Sequence, residues 1–198
     1  MPRWMRTYVR VITAINYRVG RFAMYLIFVL MGILLWSSIS KTFFNPSLWT
    51  LEMAQFTMVA YYLLGGPYSM QLGGHVRMDL LYGSWSDKTK AWVDAFTIFT
   101  LIFYLGVLLY GGISSAAYSM GYFGSEPIVF WKDLLFAYVT GGADAAKEVT
   151  GYMERSPTAW RPYLWPIKVI ASFGIFMMLL QAIAVFFIDI AKIRGEEI

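Results

Sequence analysis

The residues that could do chemistry lie in the stretch GGHVRMDLLYGSW, residues 73–85. The chain's one histidine, His75, is followed by Arg77 and Asp79, and the three could form a catalytic cluster in which the imidazole moves a proton. The stretch brings no nucleophile, second base or metal partner. We therefore expect His75 to be a hydrogen-bonding residue at the membrane interface. Arg77 and Asp79 are expected to pair with each other or to cap neighbouring helix ends.

Other chemistry is poorly supported. The sequence has no cysteine, a single histidine cannot supply a bis-histidine haem site, and the phosphate-loop, GxSxG and HExxH motifs are absent. We predict no enzyme activity, no metal site and no cofactor. Two features stay open. The Gly65-Gly66-Pro67 run could break a helix to form an ion site, but a packing kink is favoured. Gln181 could contact a substrate, but a hydrogen bond between helices is favoured.

The composition is that of a membrane protein. Of the 198 residues, 59% are hydrophobic and 14% are charged, and the mean hydropathy is +0.56; soluble domains contain about 25% charged residues. A soluble core of this size could not bury so much apolar surface. Alternation typical of a barrel is absent, so the spanning segments are expected to be helices.

Four segments are long and apolar enough to cross a bilayer, for which about 20 residues are needed. The sequence thus predicts an all-α membrane protein, one domain over residues 1–198, with spans at residues 22–40, 50–72, 92–118 and 166–190. The central parts of the four spans contain no Asp, Glu, Lys or Arg. Charged groups inside a membrane usually mark a transport pathway, so no such pathway is predicted within this chain.

The remaining segments are expected at the membrane surface. Residues 1–21 predict a basic amphipathic helix lying on anionic lipid headgroups, with Trp4, Tyr8, Val11, Ile15 and Val19 on one face; a frayed tail is the alternative. Residues 75–90 predict an amphipathic connector, and residues 119–165 an outer loop with short helices, one at 128–139. The residues expected to anchor the chain are Arg3, Trp4, Arg6, Arg10, Arg18, Arg21 and Trp85.

The orientation follows from the positive charges. Lys and Arg are concentrated in residues 1–21, in the connector and in the tail 191–198, whereas the first outer loop has only Lys41. The positive-inside rule then places both termini and the connector in the cytoplasm. The loop at 119–165 would face the periplasm of a bacterial inner membrane.

The order of several residue groups resembles the DctQ family, the small membrane subunit of tripartite ATP-independent periplasmic (TRAP) transporters. The resemblance covers roughly residues 20–190. The stretch from about 120 to 153 is longer than is usual in that family. The residues that carry the resemblance, as packing or subunit-interface positions, are Trp49, Glu52, Gly65, Gly66, His75, Arg77, Asp79, Trp165, Pro166, Lys168 and Gln181.

The resemblance implies a three-part transporter of small organic acids. A periplasmic binding protein captures the substrate, and a large elevator-type membrane subunit holds the substrate and sodium sites. The small subunit resembles a scaffold beside the large one, with no cofactor, substrate site or nucleic-acid partner of its own. Two rival functions are weighed against it. A self-sufficient oligomeric channel or transporter would need polar pore-lining positions, and a haem–quinone subunit is opposed by the lone His75.

Overall fold

The computed structural model describes residues 2–73 and 85–194. Within these ranges the chain forms five helices and no strand. An isolated antiparallel bridge joins Arg155 to Tyr163 in the segment before the last helix. The helices are α1 (Arg3–Phe43), α2 (Thr50–Gln71), α3 (Asp87–Ser119), α4 (Pro127–Val149) and α5 (Trp165–Ile193).

The first helix corrects one prediction. Residues 1–21 and 22–40 were expected to be two elements, but α1 runs without interruption through 41 residues. The interval contains no proline, and Gly20 is held against Tyr68 of α2, so nothing ends the cooperative helical hydrogen bonding there. At about 1.5 Å per residue, a 41-residue helix is about 60 Å long, well beyond the hydrocarbon thickness.

The start of α1 also has a second apolar face, formed by Val9 and Ile12. Val9 and Ile12 are buried against Ala184 of α5, whereas Val11 and Ile15, on the predicted lipid face, are exposed. The segment is therefore docked along α5 on one side. The other side remains open to the surroundings.

The helices α1, α2, α3 and α5 form an up-and-down bundle, in which α5 runs antiparallel to α1 and α3 and parallel to α2. α5 packs against the other three, and α1 packs along α2. The main core cluster contains Met70, Leu105, Ile175 and Ala182, which come from α2, α3 and α5. Trp4 and Tyr8 contact Phe187, so the start of α1 and the last turns of α5 lie at one end, here named the termini end.

The opposite end, here named the loop end, is closed by the segment 150–164 and by α4. The backbone N–H of Glu154 donates to the Ser119 carbonyl at the end of α3. α4 is interrupted at Gly142, whose φ of 72° belongs to the region that favours glycine. Its first part packs through Phe130 against Ala117 and Met120, and the indole N–H of Trp131 donates to the Ile113 carbonyl.

Three helices of the described chain are long and apolar enough to cross a membrane: α1, the Trp92–Ser119 part of α3, and α5. α2 occupies the second predicted span but does not join them. Its 22 residues include Glu52, three tyrosines and the Gly65-Gly66-Pro67 run, which lower its hydropathy. The fourth span therefore remains a prediction.

Most of the predicted connector at 75–90 lies outside the described residues, including His75, Arg77 and Asp79. Its last four positions belong to α3, which begins at Asp87, five residues earlier than the predicted span. Ser86 caps this helix, since its hydroxyl oxygen accepts from the backbone N–H of Thr89. The predicted tail at 191–198 is also partly helical, because α5 continues to Ile193. Residues 195–198 lie outside the described residues.

Candidate functional site

The clearest polar contact inside the bundle joins α1 to α5. The side-chain Nδ2 of Asn16 donates to Oε1 of Gln181 over 2.7 Å, and both residues are 1% exposed. Leaving a polar group unpaired in an apolar interior is costly, so the two amides stabilise each other. Gln181 is therefore engaged between helices, as its sequence position suggested.

A second contact joins α2 to α1 near the termini end. The side-chain Nε2 of Gln71 donates to the Thr13 carbonyl over 3.2 Å. Two oxygens of this region, Oδ1 of Asn16 and Oε1 of Gln71, are buried and have no hydrogen-bond partner among the described residues. Amide groups thus link the starting half of α1 to both neighbouring helices.

At the loop end, Glu52 holds the segment 150–164 against α2. Its carboxylate is in the first turn of α2, where the helix dipole favours a negative charge, and the residue is 3% exposed. The hydroxyl groups of Ser156 and Thr158 both donate to its Oε1. Its Oε2 is buried without a hydrogen-bond partner in the described part of the chain. This arrangement fixes a loop, and it brings no acid–base partner to the carboxylate from the residues that the structure describes.

An ion pair orders the entry to α5. The ammonium of Lys168 lies 2.6 Å from Oε2 of Glu154 and 5.9 Å from the centre of the Tyr118 ring. Pro166 stands in the first turn of α5, where its missing N–H leaves no bond unmade. Trp165 packs against the cluster that contains Phe130. These contacts connect α3, the loop and α5 at one point.

The glycines differ in what they touch. A Cβ on Gly174 would lie 2.8 Å from Cβ of Leu63, and one on Gly66 would lie 2.4 Å from the flexible end of Met178. A Cβ on Gly65 would meet nothing within 4 Å. Gly66 and Gly174 therefore let α2 and α5 approach closely, as small residues do in membrane helices, whereas Gly65 lies at a groove. The Gly65-Gly66-Pro67 run stays within the continuous helix α2.

The remaining predicted residues lie on the surface. Trp49 precedes the first turn of α2 and is partly exposed. Trp4 and Trp85 are exposed, and Trp4 contacts the ring of Phe187 edge-on. The five arginines of α1 are all exposed: Arg3, Arg6, Arg10, Arg18 and Arg21.

The sequence did not reveal the partners of two candidate residues. Asn16 was overlooked as the partner of Gln181, and Thr158 as a partner of Glu52. Asn16 carried a signal, since it stands one helical turn from both Ile12 and Gly20 on an otherwise apolar face. The hydroxyl partners of Glu52 carried none, because they lie in a loop whose position against α2 no helical spacing determines.

These features define a helical membrane protein whose polar groups mainly hold helices and loops together. In the described residues, no group of three or more His, Cys, Asp or Glu side chains could hold a metal ion. The model of the DctQ component of tripartite ATP-independent periplasmic transporters matches residues 30–140. That is more than half of the chain, which therefore belongs to the DctQ family. The protein is a transporter component and not an enzyme. Neither the curated proteins nor the solved structures gave a significant match.

Proposed function

We propose that this chain is the scaffold subunit of a TRAP-type secondary transporter that imports small carboxylates together with sodium. It would pair with a large elevator-type permease, which holds the substrate and sodium sites, and with a periplasmic binding protein. The chain would cross the bacterial inner membrane four times, with both termini in the cytoplasm. The resemblance and the family membership support these partners.

The observation that best supports the scaffold role is that Gln181 is hydrogen-bonded to another helix of this chain. Gln181 is the polar residue that the sequence singles out in the central part of a predicted span, and its Oε1 accepts a hydrogen bond from Asn16. The central parts of the spans contain no charged residue that could bind a carboxylate or a sodium ion. A substrate route is therefore better placed in a partner subunit than among these helices.

The outer faces of the helices support lateral packing. α1 exposes many large apolar side chains over its second half, and α3 does so along Trp92–Ser119. Such surface must be covered by lipid or by another membrane subunit. A scaffold that widens the fixed part of a larger permease would pack one of these faces against the permease and the other against lipid.

The loop end suits the binding protein. Glu52 fixes the segment 150–164, and the pair of Lys168 and Glu154 fixes its junction with α5. A fixed surface loses less conformational freedom on binding than a disordered one. We place the contact with the binding protein on this segment and on α4.

Reconstitution tests the proposal. The chain, a large TRAP permease and a TRAP binding protein would be purified and incorporated into liposomes in every combination, with a sodium gradient and labelled carboxylate substrate. We expect stable co-purification of this chain with the permease, and uptake only when all three components are present. Sodium-driven uptake by this chain alone would contradict the proposal.

The orientation is tested separately. The chain has no cysteine, so single cysteines can be introduced without background. Asn45→Cys and Ser125→Cys should react with a membrane-impermeant thiol reagent added outside, whereas Thr7→Cys should react only after lysis. Labelling of Asn45→Cys only from inside would overturn the predicted orientation.

A further inference from the structure

A groove with arginines on its wall lies on the side of α1, at the termini end. It has a volume of about 840 Å³. Three arginines contribute to the lining and no acidic residue does so among the described residues, which gives the groove a positive potential. The lining is completed by Gln71 of α2. The full lining is Arg6, Val9, Arg10, Thr13, Ala14, Tyr17, Arg18 and Gln71.

A second groove continues the first along the same helix face. It has a volume of about 420 Å³, lies between α1 and α2, and is lined by Gly20, Met24 and Gly65 together with aromatic residues. The positions 6, 10, 13, 17, 20 and 24 follow one another at steps of three or four, so they share one face of α1. Tyr17 and Tyr68 meet edge-on where the two grooves adjoin.

From the start of α1 towards its middle, this face is first positively charged and then mainly apolar. A phospholipid has the same order, with a phosphate headgroup followed by acyl chains. Guanidinium groups bind phosphate oxygens through charge-assisted, often bidentate hydrogen bonds. A soluble phosphate would match the arginines but would leave the second groove unused.

We propose that this face of α1 binds one anionic phospholipid, with its phosphate on Arg6 and Arg10, which lie one helical turn apart, and an acyl chain along Gly65. The inference deepens the proposed membrane anchoring and rests on the proposed insertion, with the termini end at the cytoplasmic surface. It assigns the anchoring to a defined site instead of to the total charge of the segment.

The test measures lipid bound to the full-length chain, purified in mild detergent with any subunit that co-purifies. Dioleoyl phosphatidylglycerol is titrated and counted by native mass spectrometry. We expect Arg6→Gln combined with Arg10→Gln to weaken binding about tenfold, a change of about 1.4 kcal/mol. The matched control combines Arg3→Gln with Arg194→Gln, which removes two exposed charges at the same end but outside the groove. It should change binding by less than about twofold if the site is local. Equal losses in the two variants would overturn the site.

Two further experiments distinguish binding of a whole phospholipid from binding of a phosphate group alone. Inorganic phosphate at millimolar concentration should not displace phosphatidylglycerol; displacement would overturn the lipid assignment. Gly65→Leu has free space at Cβ, so it should fold and weaken phosphatidylglycerol binding by filling the second groove. Unchanged binding by a folded Gly65→Leu variant would overturn the acyl-chain position. None of these readouts requires transport, so they stand apart from the test of the scaffold function.

Discussion

Asn16 donates a 2.7 Å hydrogen bond to Gln181 between two helices whose contacting residues are otherwise mostly apolar. The residues are 165 positions apart, so the bond fixes how the start of α1 lies on α5. Apolar contacts alone tolerate sliding, because neighbouring side chains of similar size can exchange places. A buried amide pair does not, since a shifted register would leave both amides unpaired.

A double-mutant cycle measures this bond. Asn16→Leu or Gln181→Leu alone leaves one buried amide without its partner, and each should destabilise the fold by about 1–3 kcal/mol. The combined variant replaces both amides by apolar groups, so its loss should be smaller than the sum. The coupling energy should be about 0.6–1.7 kcal/mol, as for hydrogen bonds within other membrane proteins. The measurement is reversible unfolding in mixed detergent micelles.

The same variants distinguish a structural Gln181 from a substrate contact. If the amide only joins helices, the combined variant should transport normally in the reconstituted system. Loss of uptake with normal stability and normal assembly would show that Gln181 has a further role.

Gln181 illustrates how far the sequence determines the site. A single amide in an apolar helix must find a partner, so the type of contact could be predicted. The identity of the partner depends on how α1 lies along α5, which the spacing within one helix does not determine. The same limit applies to Glu52, whose buried position became clear only when the segment 150–164 was in place.

Releasing Glu52 should loosen the loop end. Glu52→Ala removes the acceptor for Ser156 and Thr158, and we expect faster amide hydrogen exchange across residues 150–164. Glu52→Gln keeps an acceptor oxygen and should change exchange much less. Exchange in the part of α1 around Asn16, near the termini end and away from the loop, serves as the internal reference. An unchanged rate in Glu52→Ala would mean that the loop is held by other contacts.

Gly174 of α5 and Gly65 of α2 should respond in opposite directions to the same substitution. Gly174→Ala places a methyl 2.8 Å from Leu63, and overpacking of this kind costs about 1–3 kcal/mol. Gly65→Ala meets no neighbour and should stabilise the helix by about 0.5–1 kcal/mol. Thermal unfolding in detergent compares the two. A stabilising Gly174→Ala would contradict the close approach of α2 and α5.

The helices themselves were largely predictable, and their junctions were not. Long apolar runs determine where α1, α3 and α5 lie, because lipid leaves the backbone no other way to satisfy its hydrogen bonds. The continuity of α1 was missed since the change from basic to apolar composition near residue 21 resembles a boundary. Helical hydrogen bonding ignores that change when no proline interrupts it.

His75 should be dispensable for chemistry. His75→Gln keeps a polar side chain of similar reach, so substrate uptake by the reconstituted transporter should remain within about twofold if the residue only makes interface hydrogen bonds. The comparison is with wild type at equal amounts of assembled complex. Lost uptake with normal assembly would indicate a chemical role that the sequence analysis does not assign.

Reversing the charge of the first turns of α1 should disturb insertion more than neutralising it. The combined Arg3→Glu, Arg6→Glu and Arg10→Glu variant replaces attraction to anionic headgroups by repulsion and weakens the positive-inside signal. We expect a fraction of the molecules to expose Thr7→Cys to reagent outside the cell, and less chain to assemble with the permease. The corresponding glutamine variant should lose attraction without repulsion and fall between it and wild type. Topology and assembly equal to wild type in the glutamate variant would mean that packing of Val9 and Ile12 on α5, and not charge, positions this end of the protein.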